Sequence, residues 1–64
     1  MTIKELKNRE FFTRKPITEP KESQVYIKVG FDRAKNKYEC MAFNDISKFI
    51  YLKADTEIFT DFTF

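Results

Sequence analysis

Apolar and polar residues alternate along the middle of the chain. From Gln24 to Phe31 every second residue is apolar, and three of these four apolar residues are β-branched. A period of two with β-branched residues predicts a half-buried β-strand. A polar segment, residues 32–37, follows, and β-type patterning resumes from Tyr38 to Phe43. Two such stretches joined by a short polar loop predict an antiparallel hairpin.

The pattern also predicts how the two strands of the hairpin pair. A slip of two residues keeps the apolar faces together, whereas a slip of one would bring charged side chains onto the apolar face, which burial disfavours. The predicted pairs are Phe31 with Tyr38, Val29 with Cys40 and Ile27 with Ala42. We therefore predict one buried face and, opposite it, a second face of this hairpin that carries Tyr26, Lys28, Met41 and Phe43.

Two further stretches predict strands on the C-terminal side of the hairpin. Residues 48–53 are apolar between flanking lysines, and residues 57–64 are rich in phenylalanine. Turn-forming residues separate these stretches from each other and from the hairpin. Four strands about ten residues apart predict a mainly β fold, either a small antiparallel meander or an SH3-like or OB-like barrel of about four to five strands. In an open sheet the last strand would be an exposed edge that can pair with another chain.

The N-terminal part of the chain has a different pattern. Thr2 and Glu5 stand at the spacing of a capping box, and residues 2–12 favour a short helix. The equal alternative is a flexible lead-in that Phe11 and Phe12 anchor to the sheet. Both prolines fall within residues 13–23, where they remove backbone donors and favour extended structure. This segment is therefore expected to be a connector that leads into the sheet.

Length and composition limit the architecture and the chemistry. The 64 residues suffice for one small domain, in which we place a short helix and connector at residues 1–23 and the β-sheet core at residues 24–64. The chain has one cysteine and no histidine, so it can form no internal disulfide and no ordinary zinc site. Cys40 lies in an apolar strand, where burial raises a thiol pKa, so we expect a structural cysteine. A single glycine excludes a phosphate-binding glycine loop.

From these residues we expect no enzyme activity, no metal, no cofactor and no small-molecule substrate. No apolar run reaches the roughly 18 residues that indicate a membrane span. The N-terminal residues are charged throughout and lack the apolar region of a signal peptide. We therefore expect no membrane association and a cytoplasmic location.

Charge and aromatic residues indicate where a ligand would bind. Residues 1–37 hold ten basic and five acidic residues, whereas residues 38–64 hold two and five. Rings that stack on bases, next to cations that contact phosphates, are typical of proteins that bind single-stranded nucleic acid. The predicted nucleic-acid-binding residues lie on the second hairpin face and in the loop: Tyr26, Lys28, Arg33, Lys35, Lys37 and Phe43.

Two functional hypotheses follow. The first is a non-enzymatic module that binds nucleic acid through this basic and aromatic sheet face. The alternative is a protein-interaction module that forms a homodimer or binds a protein partner through the Phe-rich C-terminal strand. The first hypothesis requires the second hairpin face to be exposed, because a further layer of structure over it would make its aromatic residues ordinary core.

Overall fold

The computed structural model describes residues 1–63 and contains the antiparallel meander that the alternation predicts. The chain is mainly β, and its four strands form one open sheet in sequence order. The only helical elements of the described part are two 3-10 turns, Ile3–Glu5 and Glu22–Gln24. The strand bounds are Phe11–Thr13 for β1, Val25–Asp32 for β2, Lys37–Ala42 for β3 and Asp45–Leu52 for β4.

The predicted N-terminal helix over residues 2–12 is much shorter than expected. It is confined to one 3-10 turn, where the Glu5 carboxylate accepts hydrogen bonds from the Thr2 N–H at 2.8 Å and the Thr2 hydroxyl at 3.0 Å. A second turn follows, in which Arg9 has a φ of 73°. The Arg9 N–H donates to the Lys28 carbonyl at 2.6 Å, and the Lys28 N–H donates to the Glu10 carbonyl at 3.1 Å. These long-range bonds to β2 replace the bonds that a longer helix would make.

The predicted C-terminal strand over residues 57–64 is wrong. Glu57 and Phe59 form only isolated bridges, to Thr2 and Thr13 respectively. Phe64 lies outside the described residues. The C-terminal segment instead runs along the N-terminal residues and buries Ile58 completely.

The two faces of the sheet differ in what covers them. On the first, which we call the covered face, the N-terminal turn and the C-terminal segment contribute Ile3, Leu6 and Ile58 to the buried core. The sheet contributes Phe12, Cys40 and Leu52, with Tyr26, Tyr38 and Ile50 packed against them. The opposite side, which we call the open face, carries Phe11, Ile27, Met41, Phe43 and Phe49.

The register of the hairpin is as predicted at its loop end and wrong beyond it. Phe31 pairs with Tyr38, but a β-bulge lies between Lys28 and Gly30. The bulge places Val29 and Gly30 together opposite one residue of β3, so all earlier residues of β2 change face. The pairs predicted for Val29 and Ile27 are replaced by Lys28 with Cys40, Ile27 with Met41 and Tyr26 with Ala42.

Candidate nucleic-acid interface

Two of the predicted binding residues lie on the covered face, so the prediction that they share a face with Phe43 is wrong. Tyr26 is half-buried and stacks on Phe12 with ring centroids 5.8 Å apart and an interplanar angle of 27°. Lys28 is only 4% exposed. The bulge explains both positions. It shifts the alternation of side chains along β2 by one residue, so Tyr26 and Lys28 lie on the covered face.

Lys28 is held inside the protein by specific contacts. Its ammonium group donates a hydrogen bond to the Leu6 carbonyl and lies 4.4 Å from the centroid of the Tyr38 ring. Burial lowers the pKa of the Lys28 ammonium, while the charges of Cys40 and Glu10 oppose that shift. A carbonyl and a ring face are the partners that make a buried cation tolerable. Lys28 is therefore engaged in the core and is not presented to solvent.

Cys40 lies opposite Lys28 in the next strand and is completely buried. Burial raises the pKa of the Cys40 thiol to about 11, which the neighbouring positive charge of Lys28 only partly offsets. The thiolate is the reactive form of cysteine. At neutral pH this side chain is an inert part of the core.

Phe43 and Arg33 lie in two further places. Phe43 packs edge-to-face against Phe11 on the open face, with ring centroids 5.6 Å apart. Arg33 is exposed in the β2–β3 turn and lines a shallow depression of about 450 Å³ together with the acidic residues Asp32 and Glu39. The six predicted residues therefore do not form one surface.

Lys35 and Lys37 are the two predicted residues that the structure brings into one concave site. They line a depression of about 460 Å³ at the end of the sheet where the β2–β3 turn lies. Two further lysines and two aromatic rings complete its wall. We call this site the basic cleft; it is lined by Lys4, Phe31, Lys35, Asn36, Lys37, Tyr38, Lys53 and Ala54.

The β2–β3 turn presents the first part of the basic cleft. The Asp32 carboxylate accepts hydrogen bonds from the backbone N–H groups of Ala34 at 3.0 Å and Lys35 at 3.2 Å. Asn36 closes the turn with a φ of 55°, a conformation that asparagine tolerates better than most residues. The Lys35 ammonium lies 4.0 Å from the Asp32 carboxylate and 4.6 Å from the centroid of the Tyr51 ring.

Pairing between distant segments adds the other two lysines. Tyr38 of β3 pairs with Leu52 of β4, so Lys37 and Lys53, which adjoin them, lie at the same end of the sheet. The backbone N–H of Lys4 donates to the Ala54 carbonyl at 3.3 Å, which brings the N-terminal turn beside Lys53. The cleft thus combines three segments that are far apart in the sequence.

The rings of the cleft differ in their exposure. Phe31 is 46% exposed and packs edge-to-face on Tyr38, with ring centroids 4.9 Å apart and an interplanar angle of 65°. Tyr38 is half-buried, and the buried Lys28 ammonium lies over its ring. Within residues 1–63, no carboxylate lines the cleft. Its chemistry is therefore that of an anion site with one accessible aromatic surface.

Sequence reasoning missed four residues of the cleft: Lys4, Phe31, Tyr38 and Lys53. The two rings were assigned to the core because they belong to the alternating apolar pattern. Lys53 had a usable signal, because pairing the third predicted strand with the hairpin would have put it beside Lys37. Lys4 had none, since its position depends on a hydrogen bond to residue 54.

Comparison with protein-family models, curated proteins and solved structures found no match for this chain. Among residues 1–63, no helix has the length and apolar character needed to cross a membrane. The same residues contain no group of three or more His, Cys, Asp or Glu side chains that could hold a metal ion.

Proposed function

We propose that this domain is a non-enzymatic nucleic-acid-binding module and that it binds single strands at the basic cleft. The observation that carries the proposal is a cleft wall that contains four lysines and two aromatic rings and, among residues 1–63, no carboxylate. Lysine ammonium groups bind phosphates as point charges, and an exposed ring accepts an unstacked base. A single-stranded nucleic acid can make both kinds of contact, because its phosphates and its unpaired bases are both accessible.

The arrangement favours a single strand over a duplex. Phe31 is the ring with the larger exposed fraction, and the lysines lie around it on three chain segments. A base can stack on Phe31 only when it is free of its own helical neighbours. A duplex would offer its phosphates alone and would lose the contribution of the ring.

The salt dependence of binding tests the electrostatic part of the proposal. Fluorescence anisotropy of labelled single-stranded DNA, single-stranded RNA and duplex DNA measures affinity at several salt concentrations. If all four lysines contact phosphates, the logarithm of the association constant should fall against the logarithm of salt with a slope of about −3 for single strands. Absence of binding to every oligonucleotide at low salt, with protein near 100 µM (roughly the weak limit of non-specific binding), overturns the proposal.

A pair of charge reversals tests whether the cleft is the site. Lys37→Glu with Lys53→Glu should weaken single-strand binding by about a hundredfold, because two phosphate contacts become repulsive. The matched control is Lys21→Glu with Lys48→Glu, which makes the same change in net charge at two exposed lysines outside the cleft. Equal losses in the two variants would mean that binding follows overall charge rather than this site.

The ring is tested separately from the lysines. Phe31→Ala should reduce affinity for single strands about tenfold, since stacking contributes roughly 1–3 kcal/mol per base. It should leave the salt slope unchanged, because no phosphate contact is removed. Unchanged affinity would show that Phe31 does not stack on a base.

A further inference from the structure

Lys28 is the only charged side chain that is buried among residues 1–63. Its ammonium group donates a hydrogen bond to the Leu6 carbonyl and lies 4.4 Å from the centroid of the Tyr38 ring. A charge in the interior is costly unless such contacts replace its water. Tyr38 also lines the basic cleft. The buried cation is therefore in direct contact with a ring that belongs to the candidate binding site.

The β-bulge after Lys28 places this side chain on the same side of the sheet as Tyr38. With the bulge, Lys28 pairs with Cys40, which is two residues from Tyr38 along β3. A long side chain can reach a residue at such a diagonal position on the neighbouring strand. The Arg9 N–H and the Glu10 carbonyl bond to the backbone of Lys28 and hold it beside the bulge. Bulges often occur beside functional sites, where they redirect a side chain.

Tyr38 lies between the buried cation and the more exposed ring of the cleft. Its ring packs edge-to-face on Phe31 with centroids 4.9 Å apart, and Phe31 is 46% exposed. A cation against the face of a ring is attracted by the electrons of that face, and the attraction is stronger where water is excluded. An edge-to-face contact depends on the angle between its two rings. The ammonium group thus restricts the Tyr38 ring, which in turn restricts Phe31.

We infer that Lys28 is a positioning residue of the basic cleft. Its ammonium group holds the Tyr38 ring in the orientation that presents Phe31 to an unpaired base. The inference rests on the proposed function and assigns part of the preference for single strands to a buried residue. Phosphate contacts are available to single strands and duplexes alike, whereas a stacked base requires a single strand. Lys28 therefore contributes to specificity and not to the attraction between charges.

Lys35 provides a matched comparison, because its ammonium group also lies beside a tyrosine ring. The distance from this group to the centroid of the Tyr51 ring is 4.6 Å. Lys35 is exposed and lines the basic cleft, whereas Lys28 is only 4% exposed. Both lysines make the same kind of ring contact, but only Lys35 is able to reach a phosphate.

Fluorescence anisotropy of labelled single-stranded and duplex DNA separates the two roles. Lys28→Met should weaken single-strand binding by about three- to tenfold, with the loss expected for Phe31→Ala as the upper limit. It should leave duplex binding and the salt slope unchanged. Lys35→Met should weaken binding to both and reduce the single-strand salt slope by about 0.7, because one phosphate contact is lost. A reduced salt slope in Lys28→Met, or equal losses for the two kinds of DNA, overturns the inference.

A double-mutant cycle tests whether Lys28 acts through Phe31. In the Phe31→Ala background, Lys28→Met should have no further effect on single-strand affinity, since the ring that it positions has been removed. Losses that simply add would mean that Lys28 supports the fold in general, and would overturn the inference. Thermal unfolding checks that each variant is folded. If Lys28→Met is not, Lys28→Gln replaces it, because glutamine removes the charge and keeps an N–H donor for the Leu6 carbonyl.

Nuclear magnetic resonance of the free protein tests the ring contacts without nucleic acid. The ε-methylene protons of Lys28 in the wild type should lie upfield of those of exposed lysines, because the Tyr38 ring is beside them. The Phe31 ring signals should shift in the Lys28 variant and not in Lys35→Met. If the wild type binds nucleic acid but these shifts are absent, only the role of Lys28 is overturned. If the shifts are present but the wild type binds no nucleic acid, the proposed function fails and the role of Lys28 fails with it.

Discussion

The two faces of the sheet have similar apolar side chains but very different environments. The covered face buries Phe12 and Cys40 beneath the two ends of the chain, yet it also contains the ammonium group of Lys28. The open face holds an unbroken apolar row, yet the rings at its ends remain more than two-fifths exposed. Burial in this protein therefore follows where the chain ends lie, and not only how apolar a face is.

Lys28 adds a further difference between the covered face and the open face. A charged group in the interior is expensive unless its partners replace water. Here the Leu6 carbonyl and the Tyr38 ring do so, and the Leu6 carbonyl is available because the 3-10 turn ends before it can form a longer helix. The same N-terminal residues thus cover the core and hold the buried cation.

Adjacent phenylalanines in β1 give the largest expected difference between the faces. Phe12 is fully buried, so Phe12→Ala should destabilise the domain by about 3–5 kcal/mol, enough to unfold most of a core this small. Phe11→Ala, one residue away on the open face, should cost less than about 1 kcal/mol because the ring is already partly in water. Urea unfolding followed by far-ultraviolet circular dichroism, at a concentration where the chain is monomeric, measures both.

Similar losses of stability in Phe12→Ala and Phe11→Ala would contradict the difference between the two faces of the sheet. That outcome would mean that Phe11 is as well packed in solution as Phe12. Ile58→Val offers a milder version on the covered side, with an expected loss of about 0.5–1.5 kcal/mol, in case Phe12→Ala cannot be refolded.

The pH dependence of stability reports on the covered face alone. Burial raises the pKa of the Cys40 thiol from about 9 to about 11, so the folded state favours the protonated form. The resulting stability is fully present below pH 9 and is lost as pH rises from there to about 11, because the unfolded chain then binds fewer protons. The loss should reach at most about 3 kcal/mol.

Comparison with Cys40→Ala isolates this effect. Lys28 acts in the opposite direction, since burial lowers its pKa and its deprotonation in the folded state adds stability at alkaline pH. The burial of Lys28 is common to both proteins, so this part of its contribution cancels in the difference, whereas the effect of the Cys40 charge on Lys28 is present only in the wild type. The stability gap between wild type and Cys40→Ala should therefore shrink between pH 9 and 11, and a constant gap would contradict a buried thiol.

The local sequence pattern was sufficient to predict the fold class and the strand pairing at the loop end of the hairpin. The alternation in β2 and β3 predicted an antiparallel meander, and the pair of Phe31 with Tyr38 is confirmed. The remaining register could not be predicted, because the bulge beside Lys28 accompanies two backbone hydrogen bonds with distant residues: the Arg9 N–H donates to the Lys28 carbonyl, and the Glu10 carbonyl accepts from the Lys28 N–H. The burial of Lys28 could not be predicted for the same reason, since the partner of its ammonium group is a carbonyl 22 positions away.

The candidate site was harder to predict than the fold. Lys35 and Lys37 were identified because they cluster in a turn, which is a local property. Their partners in the cleft come from the N-terminal turn and the residue after β4, which meet only in the folded chain. Tyr26 and Lys28 were misplaced by the bulge, which changes the face of half a strand without changing its composition.

The Asp32 carboxylate holds the β2–β3 turn that carries Lys35. Its removal should have an intermediate effect on stability. Asp32→Ala deletes two hydrogen bonds to the backbone of the turn, so a loss of about 1 kcal/mol in stability is expected. The turn that carries Lys35 should loosen, which should weaken the proposed nucleic-acid binding although a negative charge is also removed. Thermal unfolding and anisotropy together test this, and Asp55→Ala, an exposed acidic residue outside the cleft lining, controls for the change in charge. Tighter binding by Asp32→Ala than by Asp55→Ala would mean that charge outweighs the order of the turn.

Gly30→Ala has the smallest expected effect on stability. It tests how much free space surrounds this residue of the sheet. Its φ is not positive, and a Cβ built there meets only the Asn8 side-chain nitrogen, at 4.0 Å. Gly30→Ala should therefore stabilise the monomer by about 0.5 kcal/mol, because alanine restricts the unfolded chain more than glycine does. Thermal unfolding of the wild type and of Gly30→Ala measures this gain. A loss of stability in Gly30→Ala would contradict the free space that surrounds this position.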